Sequence, residues 1–119
     1  MRLQWHEVQT WPTALVGRVA EAQAAELISR QSGRLIGRNV KVGRGEVDLL
    51  AVIAGERTVV EVRSTRQWGE PVDPLAAFNE AKARRVRRLA NRLGAARVDL
   101  IVVNFSSTGI DLHWVPMIA

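Results

Sequence analysis

Residues Gly43 to Thr65 read GRGEVDLLAVIAGERTVVEVRST, and this stretch decides the fold. It holds two β-like runs, Glu46–Ile53 and Arg57–Ser64, separated by Ala54-Gly55-Glu56. The first opens on Glu46 and Asp48 and then turns wholly apolar; the second ends in Val59-Val60-Glu61-Val62-Arg63. Side chains alternate along a strand, so Glu46, Asp48 and Leu50 are expected on one face of theirs, and Val59, Glu61 and Arg63 on one face of theirs. A two-residue turn at Ala54-Gly55 or at Gly55-Glu56 sets Asp48 opposite Glu61 or opposite Arg63. Either choice gathers Asp48, Glu61 and Arg63 on one face, and a one-residue slip would part them. Ionised carboxylates in valine-rich strands are costly unless paired or metal-bound. Two carboxylates with the Val62 carbonyl beside them make a hard-oxygen pocket suited to Mg²⁺ or Mn²⁺. A salt-bridged cluster in which Arg63 or Arg44 holds the two acids satisfies the same pattern.

Gly-Glu-x-Asp followed by an apolar residue, then a dozen residues, then Glu-Val and a basic residue resembles the YraN-like family of predicted nucleases. That family belongs to the PD-(D/E)xK, restriction-endonuclease-like and Holliday-junction-resolvase-like group. The resemblance runs from about Val16 to the end: Gly17, Glu21 and Ala25 match an upstream Gly-x-x-x-Glu-x-x-x-Ala segment, and Arg38-Asn39 precede the acidic strand. It implies a site of Asp48 and Glu61 holding a divalent ion with the Val62 carbonyl, and Glu21 placed near the acidic strands. One departure is plain, because the family's lysine is Arg63 here. Arginine stays protonated and cannot serve as a general base, although it can hold positive charge beside a phosphate.

The chain of 119 residues has the length of a single domain, and 47% hydrophobic content supports a real core. Residues 1–12 read as an N-terminal extension and 13–119 as one domain. Seventeen basic against twelve acidic residues leave a net charge of +5, which favours a polyanionic partner, nucleic acid before others. No cysteine is present, which removes disulfides, thiolate zinc sites and cysteine nucleophiles. No run reaches the roughly 18–20 apolar residues of a membrane span. A cytoplasmic protein without membrane contact is expected.

Around the hairpin, Thr13–Gln31 has an alanine-rich helical composition with Gly33 as its stop, and Arg34–Val42 reads as a strand. Leu15, Val19, Ala22, Glu26 and Ile28 form an imperfect stripe along the first helix. Gly43-Arg44-Gly45 is a tight turn whose Arg44 can approach a phosphate. Arg66–Pro74 is a loop carrying Trp68, a candidate for base stacking or for capping the core. Pro74–Leu93 is a helix with a buried stripe of Val86, Leu89, Ala90 and Leu93. Lys82, Arg84, Arg87 and Arg88 lie on it, and no acid occurs from Lys82 through Arg97. A solvated helix usually mixes signs, so this one reads as a phosphate-facing surface. Arg97–Phe105 and Ile110–Val115 are the last strands, with Asp99 and Asp111 as strand-edge charges. Trp5 and Trp11 read as a hydrophobic latch or a dimer contact.

The order is an α/β arrangement, α-β-β-β-α-β-β, with a mixed sheet and flanking helices, as the restriction-endonuclease-like resemblance implies. The expected function is nucleic-acid binding with Mg²⁺- or Mn²⁺-dependent phosphodiester hydrolysis, weakened or lost through Arg63. DNA is favoured over RNA, and a homodimer is left open. The alternatives are a non-catalytic DNA- or RNA-binding adaptor on a decayed nuclease fold, and a structural module using the tryptophan-rich N-terminus.

Overall fold

The computed structural model describes residues 4–66 and 78–119. The hydrophobic runs form a five-stranded sheet in sequence order: β1 (Arg34–Val42), β2 (Gly45–Ile53), β3 (Glu56–Arg66), β4 (Arg97–Ser106) and β5 (Gly109–Val115). Adjacent strands run antiparallel except β3 and β4, which are parallel. A parallel pair cannot be closed by a hairpin, and the connection that returns the chain carries the basic helix α3 (Glu80–Arg92). Helix α2 (Thr13–Arg30) packs on the opposite face. This is a mixed α/β arrangement, a five-stranded sheet with a helix packed on each face.

The strand bounds follow the sequence closely. Strand β1 spans the expected residues, and the others differ from expectation by one or two at an end. Helix α3 begins at Glu80 rather than Pro74, because the Asn79 side chain caps it by accepting the Lys82 amide at 2.9 Å. Residues 74–77 of the expected helix lie outside the described residues. At its far end Gly94, at φ 68°, lets the Ala95 amide return to the Ala90 carbonyl at 2.9 Å.

Two cores sandwich the sheet. On one side Val16, Ala20, Ala24, Ala25 and Ile28 of α2 meet Leu49, Ala51, Ile53, Val60, Val62, Ile101, Val103 and Phe105. The face that α2 buries is this small-residue stripe. Leu15 is only half-buried, and Ala22 and Glu26 stand in solvent. Alanines bring the helix axis close to the sheet. On the other side Val86, Leu89 and Ala90 of α3 cover Val47, Leu50, Val59 and Val98. Gly45 fixes that packing, since a side chain there would come within 2.8 Å of Leu89 Cδ2. Each fully buried valine or leucine contributes about 1.5–3 kcal/mol.

The N-terminal extension contains a short helix of its own, α1 (Trp5–Thr10), where the sequence alone suggests no regular element. Its tryptophans act as the latch: Trp5 and Trp11 pack on the α2-side core, and Trp11 meets Phe105 edge-on with ring centroids 6.2 Å apart. Arg66, at the end of β3, donates to the carbonyls of Val8 (3.2 Å) and Trp11 (2.7 Å) and so closes the exposed end of α1. No helix among the described residues is long and apolar enough to cross a membrane.

Candidate active site

The β2–β3 hairpin turns at Ala54-Gly55, at φ 52° and 78°, with Ile53 opposite Glu56 and Leu49 opposite Val60. Two positive φ angles in a two-residue loop are the turn that matches strand twist. Extending this register by one step sets Asp48 opposite Glu61, the first of the two expected pairings. The regular ladder stops at Leu49 and Val60, and beyond it the Val62 amide donates to Asp48 Oδ2 at 2.8 Å.

The expected sharing of one face by Glu46, Asp48 and Leu50 does not hold. Val47 and Leu50, three residues apart, both lie under α3, whereas Leu49 belongs to the α2 side. Strict alternation forbids that, so the side chains of β2 change sides at Asp48. Opposite this point on β1 is Asn39, at a left-handed φ of 49°, between the pairs Arg38–Leu49 and Val40–Val47. The irregularity aims the Asp48 carboxylate at β3 instead of straight out of the sheet.

Glu61 is 3% exposed on a central strand. Burial pushes its carboxyl up to about 8, assisted by a hydrogen bond with Asp48 and by the Asp48 charge, while Arg63 and Arg85 oppose the rise. Burial and the neighbouring Asp48 charge therefore favour the protonated form of Glu61. Arg63 completes the cluster: its Nη1 lies 3.2 Å from the Val62 carbonyl oxygen and 4.0 Å from Asp48 Oδ2. Glu21 reaches toward the same place from α2. Asn39 Nδ2 holds its Oε1 at 3.2 Å, and partial burial, with the charges of Asp48 and Glu46 behind it, raises its pKa.

Asp48, Glu61, Arg63 and the Val62 carbonyl are thus brought together, with Glu21 electrostatically in reach. Among the described residues no group of three or more histidine or carboxylate side chains gathers closely enough to hold an ion. The donor set open to a cation is two carboxylates and a main-chain carbonyl. That is all hard oxygen, and it suits an ion that keeps much of its water, as Mg²⁺ does.

The basic helix divides by face. Val86, Leu89 and Ala90 point into the core. Arg85 lies on the flank whose charge Glu61 feels, and Arg92 leans over the β1–β2 turn, where a side chain at Gly43 would strike its Nη1 at 2.7 Å. Arg44, exposed in that turn, continues the same basic flank. Arg84 and Arg88 are exposed on the outer surface, Arg84 3.8 Å from Glu80. Arg87 is turned onto its own chain: it donates to the Ala95 carbonyl (2.7 Å), the Asn91 side chain (3.2 Å) and the Ala96 carbonyl (3.5 Å). Lys82 is half-buried in the first turn. Trp68 lies outside the described residues. Arg85 and Arg92 do not stand out in the sequence from the other basic residues of α3; a helical wheel centred on Val86 and Leu89 sets both on one side of the stripe.

Asp99 is also not what its spacing suggests. It is completely buried on β4, an interior strand of the sheet, and not an edge charge. It accepts from Arg97 Nε (3.0 Å) and Nη2 (2.8 Å), Trp114 Nε1 (2.8 Å) and the Met117 amide (3.0 Å). Its role is to pin β5 and the following residues to β4.

The chain matches the uncharacterised protein family UPF0102 over residues 20–103, a span that includes both acidic strands and α3. It belongs to this family, the YraN family. A UPF0102 protein of Symbiobacterium thermophilum is 38% identical over 98 residues, covering 74% of this chain and 80% of its own. One from Leifsonia xyli is 36% identical over 112 residues, covering 85% and 92%. One from Mycobacterium tuberculosis is 34% identical over 105 residues, covering 81% and 82%. Among solved structures, that of SSO0001 overlays 93% of this chain on 55% of its own, at a TM-score of 0.44 and 13% identity.

Proposed function

We propose that this UPF0102 protein binds nucleic acid, DNA ahead of RNA, in the cytoplasm and hydrolyses its phosphodiester bonds with a divalent ion. The observation that carries the reading is the meeting of Asp48 and Glu61 at the end of the β2–β3 ladder, below a helix that carries no acidic residue from Lys82 onward. Asp48, Glu61 and the Val62 carbonyl would hold Mg²⁺ or Mn²⁺. Such an ion lowers the pKa of bound water and neutralises charge on the phosphate. Glu21, held by Asn39, orients water on the α2 side. Arg85, Arg92 and Arg44 lie along the flank that a phosphate backbone would follow, with Arg84 and Arg88 outside them. Arg63 supplies charge to the phosphate and no proton transfer.

The test is Mn²⁺-dependent cleavage of linear, single-stranded and four-way-junction DNA by the wild type, Arg63→Lys and the double variant Asp48→Ala/Glu61→Ala. Cutting by the wild type that disappears in the double variant supports a working nuclease. The hydrogen bond from Arg63 Nη1 to the Val62 carbonyl oxygen favours a second reading, a nucleic-acid-binding adaptor in which the site has ceased to cut. Retention of DNA by all three proteins in EDTA, with no cleavage of any substrate, would replace the first reading by the second.

A further inference from the structure

The three groups that would ligate an ion all face one guanidinium. Arg63 Nη1 stands 3.2 Å from the Val62 carbonyl oxygen and 4.0 Å from Asp48 Oδ2, and its charge acts on Glu61. Side-chain exposure of 27% at Arg63 and 23% at Asp48 shields the pair from bulk water without closing it off. The cluster has no other basic side chain within ion-pair distance among the described residues, Arg85 acting on Glu61 only through its charge.

We infer that the Arg63 guanidinium is a built-in cation that holds the place of the divalent ion, so that the ion enters only when Arg63 swings aside. This rests on the reading of Asp48, Glu61 and the Val62 carbonyl as an ion site, and it adds a gate to that site. The physical reason is direct. A carbonyl oxygen that accepts from Nη1 has one of its two lone pairs engaged, and a guanidinium and a divalent ion repel each other across the few ångströms that would part them. Arginine suits the part because it never gives up its proton and presents several donors in one plane. A lysine at position 63 would bring its charge as a point on a flexible stem, less firmly held between the Val62 carbonyl and Asp48.

Manganese binding measured by calorimetry on nucleic-acid-free protein tests this, using MnCl₂ alone as the ligand. The proteins are the wild type, Arg63→Met, Arg63→Lys, and Asp48→Asn in the wild-type and Arg63→Met backgrounds. The expected result is a Kd for Mn²⁺ about tenfold lower in Arg63→Met than in the wild type, with Arg63→Lys between them and Asp48→Asn abolishing binding in both backgrounds. Thermal melts give a second readout: in EDTA Arg63→Met melts below the wild type, and Mn²⁺ raises its Tm by more. Equal Mn²⁺ affinity in the wild type and both Arg63 variants, lost on Asp48→Asn, would overturn the gate and leave the ion site standing. Absence of any Asp48-dependent Mn²⁺ binding would overturn the ion site and the gate with it.

Discussion

The amide of Val62 donates to the carboxylate of Asp48 across 2.8 Å, so the acid at the centre of the site is also a structural partner of the neighbouring strand. Asp48 therefore has two separable roles, and two substitutions part them. In Asp48→Ala a buried N–H is left without its acceptor, which costs about 1–3 kcal/mol. Asp48→Asn keeps a carbonyl oxygen for that bond. Urea denaturation in EDTA should find Asp48→Asn close to the wild type and Asp48→Ala clearly weaker, while neither retains Mn²⁺-dependent cleavage.

Glu61 gives the protein a pH signature. Its carboxyl is raised by burial, and by Asp48, from 4.5 to about 8 in the folded state. A raised folded pKa means that the native state holds the proton more tightly than the unfolded chain. The stabilisation is complete below pH 4.5 and is lost as the pH climbs through about 8. Metal-free protein should lose stability across that window at up to about 1.4 kcal/mol per pH unit, the slope of one proton. Glu21, whose pKa is also raised, pushes the same way. Urea midpoints taken in EDTA from pH 5 to 8.5 should fall for the wild type, and the fall should be smaller for Glu61→Gln.

The arginines of α3 should sort by the face they occupy. Replacing Arg85, Arg88 or Arg92 by alanine should weaken DNA binding at low salt. Each arginine that neutralises a phosphate should, once removed, flatten the slope of log K against log salt by nearly one unit. Arg87→Ala should behave otherwise. Its guanidinium serves the carbonyls after the helix, so its removal should cost about 1–3 kcal/mol of stability and leave the salt slope unchanged.

Asp99→Ala should be the most damaging single change away from the site. It leaves Arg97, whose side chain is 13% exposed, with only Glu56 at 3.7 Å among the described residues, and frees Trp114 and the Met117 amide. Breaking a buried ion pair in this way costs about 3–5 kcal/mol, a large share of the roughly 5–15 kcal/mol that holds a domain together. A fall in the urea midpoint, with Trp114 emission moving to the red, would report it.

How far the sequence can be read depends on whether a feature leaves a periodic trace. Gly55 between two apolar runs locates the hairpin and gathers Asp48, Glu61 and Arg63 on one face, whereas whether Glu61 or Arg63 stands opposite Asp48 depends on which two residues make the turn. The shift of sides at Asp48 leaves no such trace, because Val47, Leu49 and Leu50 are equally apolar and only Asn39 on another strand reveals the break. Helix α1 is six residues long and ends next to Pro12, too short for its period to show. Asp99 looks peripheral because strand order cannot be read from a single chain, and an aspartate on an interior strand resembles one on an edge until its partners are known. Arg87 deceives, and Arg66 passes unnoticed, for a common reason: both donate to main-chain carbonyls, which carry no residue identity to recognise.

The two neighbours of β3 come from very different distances along the chain. Strand β2 arrives through a two-residue turn, whereas Thr58 meets Arg97 of β4 only after the whole crossover has been laid down. Hairpins close in roughly 1–10 μs, while pairings between distant segments set the slow step of folding. Asp48 and Glu61 are thus drawn together by local chain closure, before α3 has any reason to dock. The two carboxylates of the site face each other from the first closure of the hairpin, and the rise in the Glu61 pKa follows only as burial is completed.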